Sequence, residues 1–370
     1  MAHESFEDSD VAKILNDNFV SIKVDREERP DIDSVYMKVC QAFTGSGGWP
    51  LTVIMAPDQK PFFAGTYFPN EDIDESLGLK SILEYLSSAW KDNRNQLSEI
   101  SGSIINSIAK SNKNPIRGIS KDISQEAFSE LKHSFDSLYG GFGSSPKFPI
   151  PHNLFFLMRY FYITKDSSSL EMVEKTLDCM QRGGIYDHVG YGFSRYSTDR
   201  KWIVPHFEKM LYDNALLAMA YTEAFQITSN KRYSETAEDI LTYVLRDMTS
   251  NKGVFYSAED ADSEGEEGKF YTWSPEEIKK ILGDKDGNKF CYYFNITPSG
   301  NFKGKSIPNL VGSSIPNGDL NSMKNCRKKL FEVRKNRVHP FKDDKILTSW
   351  NGLMIAALSI AGRVLNNKKY

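Results

Sequence analysis

The sequence predicts two units of different class, an α/β unit followed by one that is almost entirely α-helical. Its 370 residues exceed the length that one hydrophobic core usually organises. Short strand-like apolar runs occur before residue 112, whereas beyond residue 118 apolar residues recur at helical spacing. Between them, residues 113–118 contain the proline, glycine and polar residues that are typical of a linker.

Helices and strands alternate in the first unit. Residues 19–24 alternate apolar and polar side chains and therefore predict a strand, while Pro50 opens a second, apolar strand that runs to residue 55. We expect these two strands to share one sheet. The predicted order is helix, strand, helix, two strands as a hairpin, and two helices, at residues 8–15, 19–24, 32–42, 49–55, 61–65, 77–90 and 96–109.

Helical periodicity dominates the second unit. Ser168 with Glu171, and Ser274 with Glu277, have the spacing of capping boxes at helix starts. A weak Gly-Gly repeat follows some of the helices and indicates repeated helical hairpins, closed into a ring or stacked as a solenoid. One strand pair is predicted, residues 254–257 against 269–273. The predicted helices are 125–139, 152–163, 170–182, 207–227, 233–249, 323–334 and 349–364.

Composition and charge exclude several classes of protein. The net charge is −3, and no basic stripe could neutralise a row of phosphates, so we expect no nucleic-acid partner. No stretch approaches the roughly 18 apolar residues of a membrane span, and the start lacks an apolar leader. The four cysteines have no Cys-x-x-Cys spacing. We therefore expect a cytoplasmic protein without a metal site, a cofactor or a membrane partner.

Several sequence runs resemble the spermatogenesis-associated thioredoxin-like family. Residues 3–7 (HESFE), 24–31 (VDREERPD) and 47–52 (GGWPLT) are similar to its thioredoxin-like domain. Similar runs continue through the rest of the chain, at residues 140–149 (GGFGSSPKFP), 204–215 (VPHFEKMLYDNA), 257–265 (SAEDADSEG) and 348–353 (TSWNGL).

The resemblance implies a fold for each unit. Residues 1–112 are expected to form the α/β thioredoxin-like domain and residues 113–118 the linker. Residues 119–370 are expected to form an (α/α)6 toroid of the six-hairpin glycosidase-like kind. Relatives with that toroid include sugar epimerases and glycoside hydrolases, so a sugar-like small molecule is the expected ligand.

The chain departs from the family pattern at both ends. The pattern has Cys-His-Trp-Cys-His-Val-Met before Ala-His-Glu-Ser-Phe, whereas this sequence begins at Met1, so the redox cysteines and the first strand are missing. We expect an upstream reading frame to encode them, and the toroid to be incomplete at Tyr370. Dithiol exchange is not expected, because Cys40 lies late in a predicted helix. Trp49 and Pro50 occupy the place of the thioredoxin cis-proline loop, and we predict a cis bond between them.

The densest polar cluster of the second unit follows Pro205. If Pro205 opens a helix, His206 and Asp213 share a face, and Lys209 reaches Asp213 four residues on. Such a mixed face indicates a helix that lines a pocket. The alternative is a capped helix whose Lys209–Asp213 pair is simply solvated.

Two reaction types fit the polar residues. Epimerisation beside a carbonyl needs acid/base groups on both sides of the sugar, which His188 and His206 could supply. Hydrolysis needs two carboxylates, and Asp213 could act with Glu259, Asp260 or Asp344. Residue types and spacing leave this choice open. The catalytic candidates are His188, His206, Asp213, Glu259 and Asp260.

Aromatic, amide and charged side chains near these candidates could hold a sugar, by stacking and by hydrogen bonds. We expect His206, Asp213, Arg195 and either Glu259 or Asp260 to face one cavity. A redox or chaperone-like adaptor whose toroid binds a protein is the alternative function, and an apolar exposed surface would favour it. The predicted ligand-binding residues are Arg195, Tyr196, Glu208, Lys209, Tyr212, Asn214, Asp262, Asp344, Trp350 and Asn351.

Overall fold

The computed structural model describes residues 2–74, 76–111 and 122–370. The chain divides into two compact units, unit 1 at residues 1–118 and unit 2 at residues 119–370. The predicted linker, 113–118, lies outside the described residues.

In the residues that the structure describes, unit 1 combines four α-helices with one β-hairpin. Helix α2 (Pro30–Thr44) and helix α4 (Arg94–Ser111) pack on the hairpin, where Val39, Cys40 and Ala64 are buried together. Helix α1 packs on α3 through Val11 and Leu83. After a π-helical turn at Ala2–Phe6, the elements are α1 Ser9–Asn18, α2 Pro30–Thr44, β1 Thr52–Met55, β2 Pro61–Gly65, α3 Leu79–Asp92 and α4 Arg94–Ser111.

The strand predicted at residues 19–24 is wrong. No described segment pairs with it, and it shares no sheet with β1, which pairs antiparallel with β2 alone. Val20 is 90% exposed and Ile22 is 79% exposed. An alternating pattern makes a strand only where a neighbouring backbone supplies hydrogen bonds, and none does so here.

The predicted cis bond between Trp49 and Pro50 is confirmed. The Trp49 indole N–H donates to Asp33 Oδ1 at 2.7 Å. Arg26 lies over the indole ring, with its guanidinium carbon 3.7 Å from the ring centroid. A second cis bond joins Ser145 to Pro146 in unit 2.

Unit 2 is built from helical hairpins and short strand pairs. Helix α8 (Leu211–Thr228) packs against α9 (Lys231–Asp247), α13 (Thr348–Val364) and α6 (Pro151–Thr164). These helices surround the largest hydrophobic core of the described residues. Its elements are α5 Ile123–Ser134, α6 Pro151–Thr164, α7 Ser167–Arg182, β3 Tyr196–Ser197, β4 Pro205–His206, β5 Lys209–Met210, α8 Leu211–Thr228, α9 Lys231–Asp247, β6 Ala258–Glu259, β7 Asp262–Ser263, β8 Glu266–Glu267, α10 Pro275–Leu282, α11 Asp284–Tyr293, α12 Leu320–Arg334, β9 Lys342–Asp343 and α13 Thr348–Val364.

The α6–α7 and α8–α9 hairpins use the same connection. Lys165 and Ser229, the residues after α6 and α8, are both left-handed, with φ of 61° and 57°. Asp166 and Asn230 follow, and each caps the next helix by accepting a backbone N–H two residues on. The first predicted capping box is therefore wrong, because Asp166 rather than Ser168 caps α7. Ser274, in contrast, caps α10 through the Glu277 N–H as predicted.

Two Gly-Gly sequences that the periodicity marked as helix ends converge on Trp202, whose side chain is fully buried. A Cβ atom on Gly141 would lie 2.6 Å from the Trp202 ring. One on Gly183 would lie 2.3 Å from the Trp202 carbonyl oxygen, and one on Gly184 would lie 2.2 Å from that of Ile203. These glycines allow the 202–203 backbone to pass close to the helix ends.

The strand pair predicted at residues 254–257 and 269–273 does not form. Residues 258–259 pair instead with β5 and with β9, and Trp273 bridges to Ser306. The acidic loop makes its own tight hairpin, β7 against β8, through the positive-φ residues Glu264 and Gly265.

Candidate functional site

Residues 205–206 and 209–210 form short strands, so the helix predicted to open at Pro205 is wrong. Strand β4 pairs with β3, with Tyr196 opposite His206, and β5 pairs with β6. Helix α8 begins only at Leu211. β3 lies only a short loop before β4, whereas β6 lies far along the sequence from β5. Both partners satisfy this backbone in an extended form, which local helix signals cannot reveal.

Extended backbone places successive side chains on opposite sides. Phe207 and Lys209 are both only 2% exposed and face the interior. His206 precedes Phe207, and Glu208 lies between Phe207 and Lys209. Both side chains are partly exposed on the other side. The predicted Lys209–Asp213 pair is therefore wrong, since the Lys209 ammonium binds Asp187 Oδ2 at 2.8 Å.

The interior side holds a buried ionic cluster. Arg334 donates two hydrogen bonds to the Asp187 carboxylate, at 2.8 and 2.7 Å, beside the Lys209 contact. Burial alone would raise the pKa of Asp187, but Arg334 and Lys209 hold it well below its usual range. Burial lowers the pKa of Lys209. The cluster joins the 187 loop, β5 and the end of α12, and backbone groups of Val189, Gly190 and Tyr191 add hydrogen bonds to it.

The opposite side presents stacked rings and charged groups, which we call the aromatic–ionic site. Tyr196 stacks on Phe148 with centroids 4.7 Å apart, and on His206 with centroids 5.1 Å apart. Arg195 Nη1 contacts Glu208 Oε2 at 3.0 Å. These side chains are all partly exposed and therefore accessible to a small ligand.

Asp213 borders this site from the first turn of α8. Its side chain is 7% exposed, and Oδ2 has no hydrogen-bond partner in the described part of the chain. Burial raises the pKa of Asp213 to about 8, Arg195 opposes that rise and Glu208 adds to it. Next to it, Tyr212 meets Trp350 edge to face, with centroids 4.8 Å apart. The site thus contains a carboxyl group that keeps its proton at neutral pH.

Replacing Asp213 with asparagine should change how stability depends on pH. Between about pH 4 and pH 8 folded Asp213 keeps a proton that the unfolded chain has lost, so the free energy of unfolding falls as pH rises. Asparagine does not titrate. D213N should therefore gain more than about 1 kcal/mol over the wild type between pH 5 and pH 8.5.

Urea unfolding at the two pH values measures this gain. The matched control is D284N, since Asp284 is an exposed aspartate at the start of α11. An equal pH dependence in wild type and D213N would contradict the raised pKa of Asp213.

His188 lies apart from His206, in the interior. It is 2% exposed, and its Nε2 lies 3.0 Å from the Gly183 carbonyl oxygen. Burial lowers the pKa of His188 to about 3. It borders a cavity of about 10 Å³, which can hold one water molecule, together with Ser194 and Tyr271. The structure therefore does not bring His188 and His206 together as an acid/base pair.

The other acidic candidates are dispersed. Glu259 is buried, accepts a hydrogen bond from the Tyr243 hydroxyl at 2.7 Å and pairs with Lys342 at 3.4 Å. Asp260 and Asp262 are exposed around the β7–β8 hairpin, and Asp344 is exposed beyond β9. Of the groups expected to face one cavity, the structure brings together His206, Arg195 and Asp213 but neither Glu259 nor Asp260.

Asn214 and Asn351 have the same structural position in two helices. The Asn214 side chain accepts from the Phe193 N–H and donates to the Phe193 carbonyl oxygen. Asn351 makes both of these bonds with Phe255. Each also donates to the carbonyl oxygen of its helix N-cap. Their polar atoms clamp backbone, and the two amides mark a structural repeat.

Two residues of the aromatic–ionic site were missed in the sequence. Glu267 contacts His206 Nδ1 at 2.8 Å, although the two are 61 positions apart. Phe148 belongs to a run that carried the family resemblance, yet no periodic pattern marks it as a site residue. No local signal distinguishes these positions.

Within the part of the chain that the structure describes, no group of three or more His, Cys, Asp or Glu side chains could hold a metal ion. Among the same residues, no helix has the length and apolar character needed to cross a bilayer.

Comparisons with known proteins give the context of this geometry. Residues 1–109 match the thioredoxin-like DsbH family model, described as a protein of unknown function, DUF255. Spermatogenesis-associated protein 20 of Homo sapiens is 38% identical over 412 aligned residues, covering 100% of this chain and 52% of that protein. The uncharacterized protein B0495.5 of Caenorhabditis elegans is 37% identical, covering 100% of this chain and 56% of its own. The chain thus spans about half the length of the curated relatives it matches.

Solved structures similar to the chain include sugar-active proteins. Cellobiose 2-epimerase from Bacillus thermoamylovorans matches with a TM-score of 0.34 and 13% identity, over 65% of this chain and 72% of that one. A family 76 glycoside hydrolase from a bovine Bacteroides thetaiotaomicron strain matches with a TM-score of 0.36 and 12% identity, over 67% and 53%.

The fold class expected from the sequence is a thioredoxin-like domain followed by a helical unit of the six-hairpin kind. The family match to residues 1–109 agrees with the first part, and the helical hairpins of unit 2 agree with the second. Sequence similarity extends over the whole of both units. Over its full length this chain is therefore similar to spermatogenesis-associated protein 20, of which it spans about half.

Proposed function

We propose that unit 2 binds a sugar-like ligand at the aromatic–ionic site and converts it by acid–base chemistry, with Asp213 as the proton donor. The observation that carries this proposal is the buried Asp213 carboxyl, with its pKa raised to about 8, beside the Arg195–Glu208 ion pair. A protonated and an ionised carboxyl group side by side are the usual requirement for hydrolysis of a glycosidic bond.

The two carboxyl groups take different roles. Asp213 gives its proton to the oxygen of the leaving sugar as the bond from that oxygen to the anomeric carbon breaks. Glu208, which Arg195 contacts at 3.0 Å, accepts a proton from the water that attacks the same carbon. Glu208 then releases its proton to solvent and Asp213 takes one up, so that atoms and charge balance and both groups return to their starting states.

Binding of the ligand falls to the rings and to Arg195. Tyr196, Tyr212 and Trp350 are partly exposed, and such ring faces stack against the C–H groups of sugars. Arg195 is 24% exposed at its side chain and can share its donors with a sugar hydroxyl.

Epimerase-like proton transfer is the second candidate, favoured by the position of His206 within the same site.

A redox or chaperone-like adaptor remains the alternative from another class. The four free cysteines support action in a reducing compartment such as the cytoplasm.

Binding of sugars to the full chain tests the proposal directly. Neutral mono- and disaccharides would be screened by saturation-transfer NMR, and positive ligands titrated by calorimetry. Loss of one stacking ring in Y196A should weaken binding about tenfold. The matched control is Y162A, because Tyr162 is 74% exposed on α6, outside the site.

A bound disaccharide also allows the chemistry to be measured. D213N should retain binding but lower hydrolysis about 10²- to 10⁴-fold, since it removes the proton donor. The proposal fails if no sugar binds to the folded wild type, or if Y196A and Y162A bind equally well. Undiminished hydrolysis by D213N would exclude Asp213 as the acid.

A further inference from the structure

Both ring nitrogens of His206 face carboxylates from different elements. Nδ1 lies 2.8 Å from Glu267 Oε1 on β8, and Nε2 lies 3.9 Å from Glu208 Oε2. Glu208 is shared, because its Oε2 also contacts Arg195. The stacked Tyr196 ring covers one face of the imidazole and limits its rotation.

This arrangement favours the doubly protonated imidazole. An ionised carboxylate can only accept hydrogen bonds, while a neutral imidazole has one N–H donor and one acceptor nitrogen. A neutral His206 would place its lone pair against one of the two carboxylates. Only the doubly protonated ring can donate in both directions.

We propose that Glu267 is a positioning residue that keeps His206 doubly protonated, so that His206 donates a hydrogen bond from Nε2 to a ligand oxygen. The inference rests on the proposed function for the identity of the ligand, but not for the state of His206. A ring that already carries both protons cannot serve as the base for epimerisation. The geometry therefore favours the hydrolytic reading, with Asp213 and Glu208 as the reacting pair.

The surrounding charges agree in sign with this state. The hydrogen bond that His206 donates to Glu267 raises the pKa of His206, burial opposes the rise, Glu208 adds to it and Arg195 reduces it. Asp262 on β7 also interacts with His206, and Lys303 acts on both Asp262 and Glu267. Reciprocally, His206 lowers the pKa of Glu267, which therefore remains an acceptor.

The hairpin that carries Glu267 is held independently of His206. The Ser263 hydroxyl donates to the Val338 carbonyl oxygen at 2.6 Å, and Lys269 pairs with Glu264 at 3.0 Å. The Gly268 N–H donates to the Ala261 carbonyl oxygen at 3.1 Å. Removal of the Glu267 charge should therefore leave the hairpin folded and change His206 alone.

NMR titration of the full chain, with its histidines labelled with ¹³C, tests the state of His206 without any ligand. The resonance that disappears in H206N identifies the residue. In the wild type its titration midpoint should lie above 6.5, and in E267Q it should fall by about one pH unit. The matched control is E266Q, since Glu266 is the exposed neighbour on the same strand. A fall in E267Q no larger than in E266Q would overturn the proposal, as would a wild-type midpoint below 6.5.

The donor role is tested with a disaccharide that binds the wild type. Its affinity should decline as pH rises through the midpoint of His206, and in E267Q the decline should begin at lower pH. E267D should recover part of the shift, which a merely structural role would not require. An affinity independent of pH over this range would refute the donor role. If no sugar binds at all, the proposed function fails, while the titration still decides the state of His206.

Discussion

Replacing Asp187 with alanine should lower the free energy of unfolding of unit 2 by about 3–5 kcal/mol, because two buried cations would lose their common partner. The Lys209 and Arg334 side chains are 2% and 3% exposed, so water cannot substitute for the carboxylate. The Val189 and Gly190 N–H groups would also lose their acceptor, Asp187 Oδ1. Urea unfolding followed by circular dichroism measures the change.

A surface ion pair of the same unit is the matched control. Lys324 and Glu235 lie 3.7 Å apart, with side chains 56% and 60% exposed, so E235A should cost less than about 1 kcal/mol. A loss below about 1 kcal/mol in D187A would show that solvent reaches the cluster. Because the pKa of Asp187 is depressed, its contribution should persist above about pH 4 and be lost as pH falls towards its folded pKa.

Replacing Trp202 with alanine should have an effect of similar size, about 3–5 kcal/mol, through loss of burial and creation of a cavity. Its ring is fully buried, and the indole N–H donates to the Tyr139 carbonyl oxygen at 2.8 Å. Gly141 and Gly183 lie directly against Trp202 and carry no side chain that could fill the space. Unfolding in urea, with Y292A as control, measures the loss.

The control removes an aromatic side chain from the same unit but from its surface. Tyr292 is 77% exposed on α11, so Y292A should change stability by about 0.5 kcal/mol or less. If W202A were as stable as Y292A, the packing of the two Gly-Gly sequences on Trp202 would not contribute to the stability of unit 2.

Helices were predictable where a long apolar period is closed by local signals. The helix predicted at residues 152–163 is α6, Pro151–Thr164, and the one predicted at 349–364 is α13, Thr348–Val364. Both depend on side-chain spacing within one element, which the sequence contains in full. Helix α11, Asp284–Tyr293, was not predicted, because its polar first turn hides a shorter apolar pattern.

The candidate site was predicted only in part. Arg195, His206 and Asp213 were expected to lie together with Glu259 or Asp260, and the structure brings the first three together without either carboxylate. Their arrangement was not predictable from a helical wheel, since residues 205–210 are extended. The alternation that results sends Lys209 inward and leaves Glu208 on the site, whereas both had been expected to bind the ligand.

By itself, the sequence determined the helical periodicity of unit 2, the turn and cap residues of several elements, and the residue types that suit a polar ligand. Each of these depends on neighbours a few positions apart. Tertiary structure decided which segments became strands and which charges met. Residues 19–24 have the pattern of a strand, but no described strand pairs with them. Pro205–His206 has a helix signal, but it pairs with β3 and becomes a strand. Glu267 reaches His206 across 61 positions because hydrogen bonds and charge pairs are satisfied in space rather than along the chain.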